Sequence, residues 1–508
     1  MQDVTVEDPE ATCSMSSTDI VATPGKVDNL IAACHAQLPR LPVLSSAEDV
    51  KPYECDGLSV YRAQPGAVLL PDGEADVAGA MRLAAAEGVP VVARGAGTGL
   101  SGGALPLPDG VVLSLAKLNK VLAIDLAART ALVQPGVRNL AISEAVAYAG
   151  MYYAPDPSSQ IACTIGGNVA ENSGGVHCLK YGLTVHNVLK VRAVLIGGEV
   201  ITVGADALDA PGYDLLALVI GSEGLLCVAT AITVKLLPRP LTAQCAMASF
   251  DDVAKAGAAV AGIIAGGIIP AGLEMMDKAA TAAVEAFVHA GYNLGAEAIL
   301  LVESDGTPEE VADQMGRIKS ILHEAGAGEV RVSQDERERL KFWAGRKAAF
   351  PAVGRISPDY YCIDGTIPRR ALPQVLRSIE AMTAEFGLRC ANVFHAGDGN
   401  LHPLILFDAN VPGELDRTEA FAAKILDLCI EVGGTITGEH GVGIEKIDHM
   451  CAQFNTPELE RFHGIKAAFD PPGLLNPGKA VPTLHRCAEF GKMHVKSGAE
   501  KHPELPRF

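Results

Sequence analysis

The chain has 508 residues, which is too long for one ordinary hydrophobic core, so we expect two or three domains. Its composition, with 49% apolar and 20% charged residues, is that of a globular protein and excludes a disordered one. The formal net charge of −19 argues against a nucleic-acid partner, because phosphates require a basic surface.

Cysteine usage and the lack of targeting signals predict a cytoplasmic protein. Twelve cysteines are scattered from Cys13 to Cys487 without a C-x-x-C pair, so we expect reduced, mostly buried thiols and no zinc or iron–sulfur cluster. The acidic start, Met1–Glu10, lacks the basic and apolar regions of a signal peptide. Residues 256–273 carry no charge, but their glycines and Pro270 predict a buried helix followed by a strand, and no transmembrane segment.

Four segments are predicted along the chain. Residues 1–45 form a polar, loosely attached N-terminal extension with one helix over 27–37. Residues 46–238 alternate short strands, glycine-rich turns and alanine-rich helices, and a Pro-Arg-Pro sequence marks their end. A second α+β domain, with an antiparallel sheet, covers 239–454, and a short helical tail covers 455–508.

The first domain contains a glycine pattern that resembles a nucleotide-binding fingerprint. Gly97, Gly99 and Gly102 fit G-x-G-x-x-G and follow a strand-like run. The dinucleotide fingerprint also requires a helix after the glycines, and Pro106 and Pro108 oppose one at about 3 kcal/mol each. The glycines are therefore predicted to join strand to strand, where backbone N–H groups can still hold a pyrophosphate. The other elements predicted in this domain are a helix over 75–88 and strands over 89–93, 111–115, 120–124, 191–196 and 200–203.

Two further glycine-rich loops follow in the same domain, at residues 155–175 and 220–236, each beside a strand. One such loop alone is explained by an ordinary turn. Three of them, two rich in serine, threonine and asparagine, indicate a binding site for a long ligand that carries phosphates, a ribityl chain and a polar ring system.

The second domain is marked by two strand–helix pairs. An extended run over 298–304 is followed by a helix with Thr307 as N-cap and Pro308 at its first position. A similar run over 246–250 precedes another helix. The remaining predicted elements are an irregular and then extended segment over 350–367 and helices over 372–386 and 414–432.

A group of histidines and carboxylates lies near the end of this domain. His395 and His402 are seven residues apart in Val393-FHAGDGNLHPL, and Gly438-EHGVG adds Glu439 and His440. Two imidazoles and a carboxylate are a common ligand set for a catalytic Zn, Mn or Fe ion. Because this spacing is not helical, loops must assemble the site. From the residues alone, the alternative is that these are hydrogen-bonded core histidines.

These motifs, in this order, resemble the FAD-linked oxidase family. The similarity rests on RGAGTGLSGG at 94–103, CTIGGNVAENSGG at 163–175 and the two histidine-containing motifs, and it extends from about residue 40 to 480. The family includes the large flavin subunits of bacterial glycolate oxidase, D-lactate dehydrogenases and D-2-hydroxyglutarate dehydrogenases. The resemblance implies an FAD domain of the vanillyl-alcohol-oxidase/PCMH type with two α+β subdomains, an α+β substrate cap, and a helical tail that returns to the FAD domain.

The resemblance also implies which residues contact the cofactor. Histidine tethers FAD in related oxidases near positions 97–99, where this chain has Gly97, Thr98 and Gly99, so noncovalent FAD is expected; Cys163 is the alternative attachment point. The implied FAD-binding residues are Arg94, Gly95, Ala96, Gly97, Thr98, Gly99, Ser101, Gly102, Pro155, Asp156, Ser159, Thr164, Gly166, Gly167, Asn168, Asn172, Gly174, Glu223, Gly224, Leu225 and Asn476.

A metal-assisted reaction follows from the same resemblance. It implies that His395, His402 and Glu439 bind a divalent cation and makes His440 the candidate general base. A 2-hydroxy acid chelates such an ion, which lowers the pKa of its hydroxyl group so that a histidine can remove the proton. Hydride then passes from C2 to flavin N5, giving the 2-oxo acid.

The substrate carboxylate needs a cationic partner. Arg346 matches an arginine of a W-x-x-R motif in the family, and Arg355 is a second candidate, because a guanidinium binds a carboxylate with two hydrogen bonds. The 2-hydroxyglutarate members of the family have a lysine near the position of Cys362. The absence of this lysine favours a substrate with a single carboxylate. Glycolate is therefore expected, with D-lactate as a further substrate.

Three alternatives remain open at this point. One is a dedicated D-lactate dehydrogenase, and the second is another FAD-linked oxidase that uses O₂ on an alcohol, phenol or amino sugar. The third is a flavin-binding subunit with an electron-transfer or scaffolding role. The chain has no motif for an electron acceptor, so the resemblance implies external partners, namely a second flavin subunit and an iron–sulfur subunit, with docking at the inner face of the membrane through them.

Overall fold

The computed structural model describes residues 25–207 and 212–483. The predicted signal-free start at Met1–Glu10, the rest of residues 1–24 and the part of the predicted tail from 484 to 508 lie outside the described residues. Within the described part, helices and strands are mixed along the chain and three main sheets are formed.

A four-stranded mixed sheet carries the first glycine-rich loop. Its strand order is β1-β2-β4-β3, with β4 parallel to both β2 and β3 and β1 antiparallel to β2. No helix forms between β3 and β4, which confirms that this loop joins strand to strand. The elements of this part are α1 (Lys26–Gln37), β1 (Val43–Leu44), α2 (Ala47–Val50), a 3₁₀ turn (Lys51–Tyr53), β2 (Ala67–Leu69), α3 (Glu74–Glu87), β3 (Val91–Arg94) and β4 (Val111–Ser114).

The expected loose attachment of the N-terminal extension is wrong for its described residues, 25–45. The side chains of Leu30 and Cys34 on α1 are fully buried and pack in one core with Val77 and Met81 of α3. Burying apolar side chains of this size stabilises the contact by about 1.5–3 kcal/mol each. Helix α1 is therefore part of the first core.

A five-stranded antiparallel sheet follows, with the order β5-β6-β10-β8-β9, and a separate pair is formed by β7 and β11. The second glycine-rich loop runs into α5, and the third lies just before β10. The elements are β5 (Val121–Asp125), β6 (Thr130–Val133), α4 (Asn139–Val146), a 3₁₀ turn (Ala147–Ala149), β7 (Met151–Tyr152), α5 (Ile165–Glu171), α6 (Cys178–Tyr181), α7 (Thr184–Asn187), β8 (Val188–Val194), β9 (Val200–Gly204), α8 (Leu215–Val219), β10 (Val228–Lys235) and β11 (Leu237–Pro238).

The second half is built on a seven-stranded sheet in which every neighbouring pair is antiparallel, with the order β15-β12-β14-β13-β17-β18-β16. The predicted antiparallel α+β arrangement is thus observed. The elements are β12 (Thr242–Phe250), α9 (Val253–Ala265), β13 (Gly272–Asp277), α10 (Lys278–Val288), β14 (Ala298–Gly306), α11 (Pro308–Glu324), β15 (Glu329–Val332), α12 (Glu336–Lys347), α13 (Ala349–Val353), β16 (Asp359–Cys362), a 3₁₀ turn (Arg369–Ala371), α14 (Leu372–Phe386), β17 (Arg389–Phe394), β18 (Pro403–Phe407), α15 (Glu414–Glu431), α16 (Ile447–Gln453) and α17 (Thr456–Phe469).

Helices cover both faces of this sheet, because successive side chains of a strand point to opposite sides. On β14, Leu300 and Val302 pack into one core with α9, α11, α14 and α15, whereas Ile299 and Leu301 pack into another with α10, α12 and α13. This explains why the strand appears in the sequence as a continuous apolar run. The uncharged stretch 256–273 belongs to α9 and β13, as predicted.

The segment after α17 returns to the first sheet. Val91 of β3 donates a backbone hydrogen bond to Leu474 at 2.8 Å and accepts one from Asn476 at 2.9 Å. The apolar side chain of Leu475 is fully buried in the first core. Both halves of the chain are therefore tied together next to the first glycine-rich loop.

The cysteines of the described residues are free thiols with one exception. Nine of the described cysteines are free thiols, eight of them buried, whereas Cys451 is disulfide-bonded, so the expectation of reduced thiols is wrong for that residue. Among the described helices, we find none with the length and apolar character that crossing a bilayer requires.

Candidate functional site

A cavity of about 390 Å³ lies where the glycine-rich loops of the first half meet loops of the second half. Residues 94–100, 166–171 and 222–224 form the wall on the first side. The wall on the second side is formed by Lys347, Phe350, Pro351, Tyr360, His402, Glu439 and His440. All three predicted loops and part of the predicted histidine group therefore face one cavity.

The glycine-rich wall fits a dinucleotide. A methyl group added to Gly95 would collide with Thr164 Oγ1, and one added to Gly167 would lie 3.5 Å from the same atom. Thr164 Oγ1 is buried and has no hydrogen-bond partner among the described residues, an arrangement that normally costs about 1–3 kcal/mol. Because these glycines have no side chains, a phosphate could approach Thr164 closely and act as the missing hydrogen-bond partner of its Oγ1. The residues therefore fit the pyrophosphate of FAD.

The predicted cofactor residues divide into two groups in the structure. Those in the cavity wall are Arg94, Gly95, Ala96, Gly97, Thr98, Gly99, Ser159, Thr164, Gly166, Gly167, Asn168, Glu223 and Gly224. Those that the structure does not place in the wall are Ser101, Gly102, Pro155, Asp156, Asn172, Gly174, Leu225 and Asn476.

Several residues of the second group hold the loops together instead. Ser101 Oγ donates to the backbone oxygen of His440 at 3.0 Å, and Asn476 Nδ2 donates to the backbone oxygens of Gly103 and Glu223 at 3.0 and 2.7 Å. At Gly174 an added methyl group would collide with Glu439 Oε2, so only glycine lets this loop approach the carboxylate.

The seven-residue spacing of His395 and His402 is explained by a hairpin. His395 follows the last residue of β17 and His402 precedes the first residue of β18, and these strands are antiparallel neighbours. His395 also exchanges backbone hydrogen bonds across the turn, with its N–H donating to Asn400 at 3.0 Å. The two imidazole rings consequently lie edge to face, with 5.1 Å between their centres.

Glu439 joins the two histidines in one cluster. Its Oε1 lies 3.3 Å from His395 Nε2 and 3.0 Å from His402 Nε2. The three possible ligand atoms lie within 4.8 Å of one another, and all three residues are largely buried. Two nitrogens and one carboxylate oxygen at this spacing fit a divalent cation such as Zn, Mn or Fe.

A second set, formed by Cys362, His402 and His440, also has ligand atoms within 4.8 Å of one another. Burial raises the pKa of the Cys362 thiol well above its usual value, and the charge of Asp364 raises it further. A thiol that resists ionisation is a poor ligand, because metals bind the thiolate. The set with Glu439 is therefore the better cation site.

Two buried residues orient His395 from behind. Glu274 on β13 accepts from His395 Nδ1 at 2.7 Å through Oε1 and from Arg346 Nε at 2.7 Å through Oε2. Glu274 therefore fixes the Nδ1 proton and the orientation of the ring, so that Nε2, which faces Glu439, is the nitrogen that would bind a cation in place of its own proton. Burial lowers the pKa of His395, but the hydrogen-bonded carboxylate of Glu274 outweighs it and raises that pKa well above its usual value.

The loop that carries Glu439 and His440 is fixed by Asp364. The backbone N–H groups of Gly438 and His440 donate to Asp364 Oδ2 at 3.0 and 2.8 Å, and Lys446 Nζ lies 3.3 Å from the same oxygen. Asp364 and Lys446 are fully buried, so each needs the other as a charge partner. The pair holds the loop at the wall of the cavity.

Burial favours the neutral form of the His440 imidazole. Burial lowers the pKa of its imidazole to about 4, opposed by the Asp364 carboxylate and assisted by the positive charges of His402 and Lys446. Its ring stacks on that of His402 with 5.0 Å between centres, and its Nδ1 is buried without a hydrogen-bond partner among the described residues. The ring is therefore neutral at pH 7 and able to accept a proton.

The two arginines predicted to bind the substrate carboxylate lie elsewhere. Arg346 is buried behind the cation cluster with its Nε on Glu274, and it is not part of the cavity wall. Arg355 is exposed, with its guanidinium 5.4 Å above the ring of Phe287, and is not brought to the cavity. The cation that does stand in the wall on this side is Lys347, the residue after Arg346.

Sequence reasoning missed four groups of residues in this site. They are Glu274 and Asp364, which orient the histidine-bearing segments, Lys446, which pairs with Asp364, Lys347 in the cavity wall, and Glu171 at the end of the second loop. The sequence offers one indication of such residues, a charged side chain within an apolar run, as Glu274 in Gly272-LEMMD. Charged residues are rarely buried unless they are paired, so such a position suggests a buried polar contact. Neither their partners nor their side of the sheet can be read from that signal.

The chain belongs to the FAD-linked oxidase family. Residues 239–480 match the C-terminal domain of FAD linked oxidases, and residues 65–204 match an FAD binding domain. These two matches cover more than half of the chain, and the second one identifies FAD as the dinucleotide that the glycine-rich wall fits.

Within that family, the chain is similar to proteins of known name over nearly its whole length. It is 62% identical to the glycolate oxidase subunit GlcD of Escherichia coli K12, over 94% of this chain and 96% of the relative. It is 39% identical to the subunit of the same name from Bacillus subtilis, over 84% and 91% of the two chains. It is 32% identical to a D-lactate dehydrogenase of Anaerostipes hadrus, over 86% and 94%.

Solved structures share the fold at low sequence identity. The 4-ethylphenol oxidase of Gulosibacter chungangensis superposes with a TM-score of 0.77 at 18% identity, over 92% of this chain and 99% of the other. A p-cresol methylhydroxylase gives 0.76 at 17%, over 92% and 98%. These likenesses confirm the predicted α+β fold of the PCMH type.

Proposed function

We propose that this protein catalyses the FAD-dependent dehydrogenation of a small 2-hydroxy acid, glycolate and also D-lactate, to the 2-oxo acid. The observation that carries the proposal is that His402, Glu439 and His440 stand in the same cavity wall as the glycine-rich loops. A cation site and a flavin site that share one cavity suit a substrate with a hydroxyl next to a carboxylate. The names of the glycolate oxidase and D-lactate dehydrogenase relatives support this substrate class.

Two bound groups supply the chemistry that side chains lack. Bound FAD would accept a hydride at N5, and a divalent cation held by His395, His402 and Glu439 would lower the pKa of the substrate hydroxyl. Glu274 keeps Nε2 of His395 available as a ligand, and Asp364 keeps Glu439 and His440 at the cavity. The protein's own part is therefore to hold both groups and to place the substrate between them.

His440 takes the hydroxyl proton in this proposal. Its neutral, buried imidazole with an unpartnered Nδ1 suits a general base. As the O–H proton goes to the imidazole, the C2–H bond breaks and its hydrogen leaves with both bonding electrons as a hydride, which bound FAD would accept. C2 thereby becomes the carbonyl carbon of the 2-oxo acid. The proton on His440 then balances the reaction until solvent removes it.

We further propose that Lys347 attracts the substrate carboxylate and that Arg346 acts through Glu274. Lys347 stands in the cavity wall, whereas the Nε of Arg346 is already engaged by a buried carboxylate. Cys362 offers no positive charge for a second carboxylate. A substrate with one carboxylate and a short side chain is therefore favoured.

Noncovalent attachment of FAD is proposed on two grounds. Positions 97–99 contain no histidine, and burial raises the pKa of the Cys163 thiol, which suppresses the thiolate needed to attack a flavin. Acid or heat denaturation should release the yellow flavin into the supernatant. Colour that stays with the precipitate would contradict this.

The electrons then leave through other proteins. We propose a second flavin subunit and an iron–sulfur subunit as external acceptors, with the complex in the cytoplasm and docked at the inner membrane face. Support comes from the relatives, which are named as subunits of glycolate oxidase. Co-purification of the three chains from the native source tests this.

The substrate is tested by anaerobic mixing of the purified protein with glycolate, D-lactate, L-lactate and D-2-hydroxyglutarate while flavin absorbance is followed. Bleaching by glycolate and by D-lactate is expected, and no bleaching by any of the four would contradict the proposal. His440→Asn should abolish bleaching with an unchanged FAD content. If that variant loses FAD as well, His440 has a structural role instead.

A further inference from the structure

Glu171 places a carboxyl group in the wall of the cavity in which FAD is expected to bind, and it has none of the roles assigned above to the other site residues. It is the last residue of α5, in the second glycine-rich loop, and it forms part of the cavity wall. Its Oε2 is shut off from solvent and has no hydrogen-bond partner among the described residues. Leaving such an atom unpartnered is unfavourable, so a ligand that pairs with it is expected.

The neighbours of Glu171 show which part of the cavity it faces. A methyl group added to Gly103 would lie 3.0 Å from Oε1, and one added to Gly441 would collide with Oε2. Gly103 ends the first glycine-rich loop, and Gly441 directly follows His440. The carboxyl group therefore lies between the pyrophosphate-binding loops and the base. The isoalloxazine ring of a bound FAD would lie near this point, since it would receive hydride from a substrate next to His440.

The other carboxylate near this point is already satisfied. Glu223 accepts backbone hydrogen bonds from Val442 and Gly443, both at 2.7 Å, and so fixes the loop after His440. Glu171 Oε2, in contrast, has no donor among the described residues. Of the two acids, Glu171 is the one left to meet a ligand.

Burial raises the pKa of Glu171 well above its usual value. The charges of Glu223 and Asp56 raise it further, and those of Lys446 and Lys479 oppose them. A neutral carboxylic acid has one proton to donate. The isoalloxazine ring offers several acceptors along its polar edge, among them N1, O2 and O4.

We propose that Glu171 donates a hydrogen bond to the polar edge of the isoalloxazine ring and raises the reduction potential of the bound flavin. Two-electron reduction places negative charge on this edge, so a donor there stabilises the reduced form more than the oxidised form. Glu171 is thus a cofactor-tuning residue. The inference rests on FAD binding and is independent of which 2-hydroxy acid is the substrate.

The test measures the midpoint potential of the bound flavin without any substrate, by dye equilibration during photoreduction. Glu171→Gln keeps an N–H donor and should stay within about threefold of the wild type in the redox equilibrium constant. Glu171→Met has a similar shape without a donor and should disfavour reduction about tenfold, which is a fall of about 30 mV for a two-electron couple. Glu144→Gln, on the exposed side of the first half, is the matched control and should change nothing.

An unchanged potential in Glu171→Met would overturn the proposal, as would a large rise in Glu171→Gln, which would indicate an ionised carboxylate. If Glu171→Met does not retain FAD, the FAD dissociation constants of the apoproteins decide. The proposal then requires Glu171→Gln to bind within about threefold of the wild type and Glu171→Met at least tenfold more weakly. Equal affinities of the two variants would overturn it.

Discussion

Glu274 connects two buried side chains, His395 of the candidate cation site and Arg346 behind it. It is 1% exposed and binds His395 with one oxygen and Arg346, itself 2% exposed, with the other. Removing one partner from such a buried network leaves an unpaired charge, which costs about 3–5 kcal/mol. The arginine therefore holds Glu274 in place, and Glu274 fixes the orientation of the His395 ring.

Replacing Glu274 should weaken cation binding. Glu274→Gln removes the charge that holds the Nδ1 proton of His395, so we expect divalent-metal affinity to fall about 10–100-fold. Titration of the metal-free protein with Zn²⁺ or Mn²⁺ measures this. Glu297→Gln, which breaks an exposed ion pair with Lys278, is the control. Equal affinities in the two variants would contradict the assigned role.

Arg346→Lys separates two roles for that arginine. If Arg346 acts through Glu274, the substitution should lower metal affinity together with activity. A direct contact with substrate would instead raise KM for glycolate and leave metal affinity unchanged.

Lys347→Gln should raise KM for glycolate roughly three- to tenfold with a smaller change in kcat. The reason is that an ammonium in the cavity wall attracts the substrate carboxylate before the chemical step. Lys341→Gln, an exposed position on the same helix α12, is the matched control and should leave KM unchanged. Identical KM values for both variants would exclude Lys347 as the carboxylate partner.

At the scale of single elements, the β17–β18 hairpin brings the two histidines together. The sequence motif was sufficient to name His395 and His402 and to exclude a helical pair. It could not name Glu274, because the pairing of β13 with β17 joins residues more than a hundred positions apart. Long-range register of this kind depends on which strands become neighbours, and no local pattern contains that information.

Helix α11 shows the opposite case, in which local signals were enough. Thr307 accepts from the backbone N–H of Glu310, and Glu310 accepts from that of Thr307, which completes a capping box with Pro308 at the first position. Thr307→Ala should therefore lower the free energy of unfolding by about 1 kcal/mol, measured by urea denaturation. Thr307→Ser keeps the hydroxyl and should retain most of the free energy of unfolding. Equal losses of stability in both variants would argue against the cap.

At the scale of the whole molecule, the fold class, the strand-to-strand glycine loop and most helices of the second half could be predicted. The contribution of the second half to the cavity, from Lys347 to Tyr360, could not, because it depends on how the two halves pack. The predicted loose attachment of residues 25–45 was wrong for a related reason: Leu30 and Cys34 are apolar positions whose partners on α3 lie some fifty residues away.

A second contact between the halves involves His177. Its Nδ1 lies 2.7 Å from Asp156 and its Nε2 3.4 Å from Glu303 of β14. Burial lowers the pKa of the imidazole, but the two carboxylates, Asp156 first, outweigh it and raise that pKa to about 10. Since an unfolded histidine titrates near 6.5, the contact contributes fully below about pH 6.5 and is lost as pH rises through about 10.

His177→Gln should therefore lower the urea midpoint most at about pH 6, and the difference from the wild type should shrink toward pH 10. Denaturation curves across this range measure it. His186→Gln provides a control at a histidine outside this contact. A difference that does not vary with pH would contradict the ion pairs of His177 with Asp156 and Glu303.

We propose that a cation at His395, His402 and Glu439 works together with FAD in one cavity. The most direct measurement is anaerobic flavin reduction by glycolate in protein stripped of metal by a chelator, with FAD content and metal content determined on the same sample. We predict that the metal-free protein keeps its FAD but is not bleached, and that adding back Zn²⁺ or Mn²⁺ restores bleaching. Bleaching at the full rate in protein shown to lack metal would contradict the account.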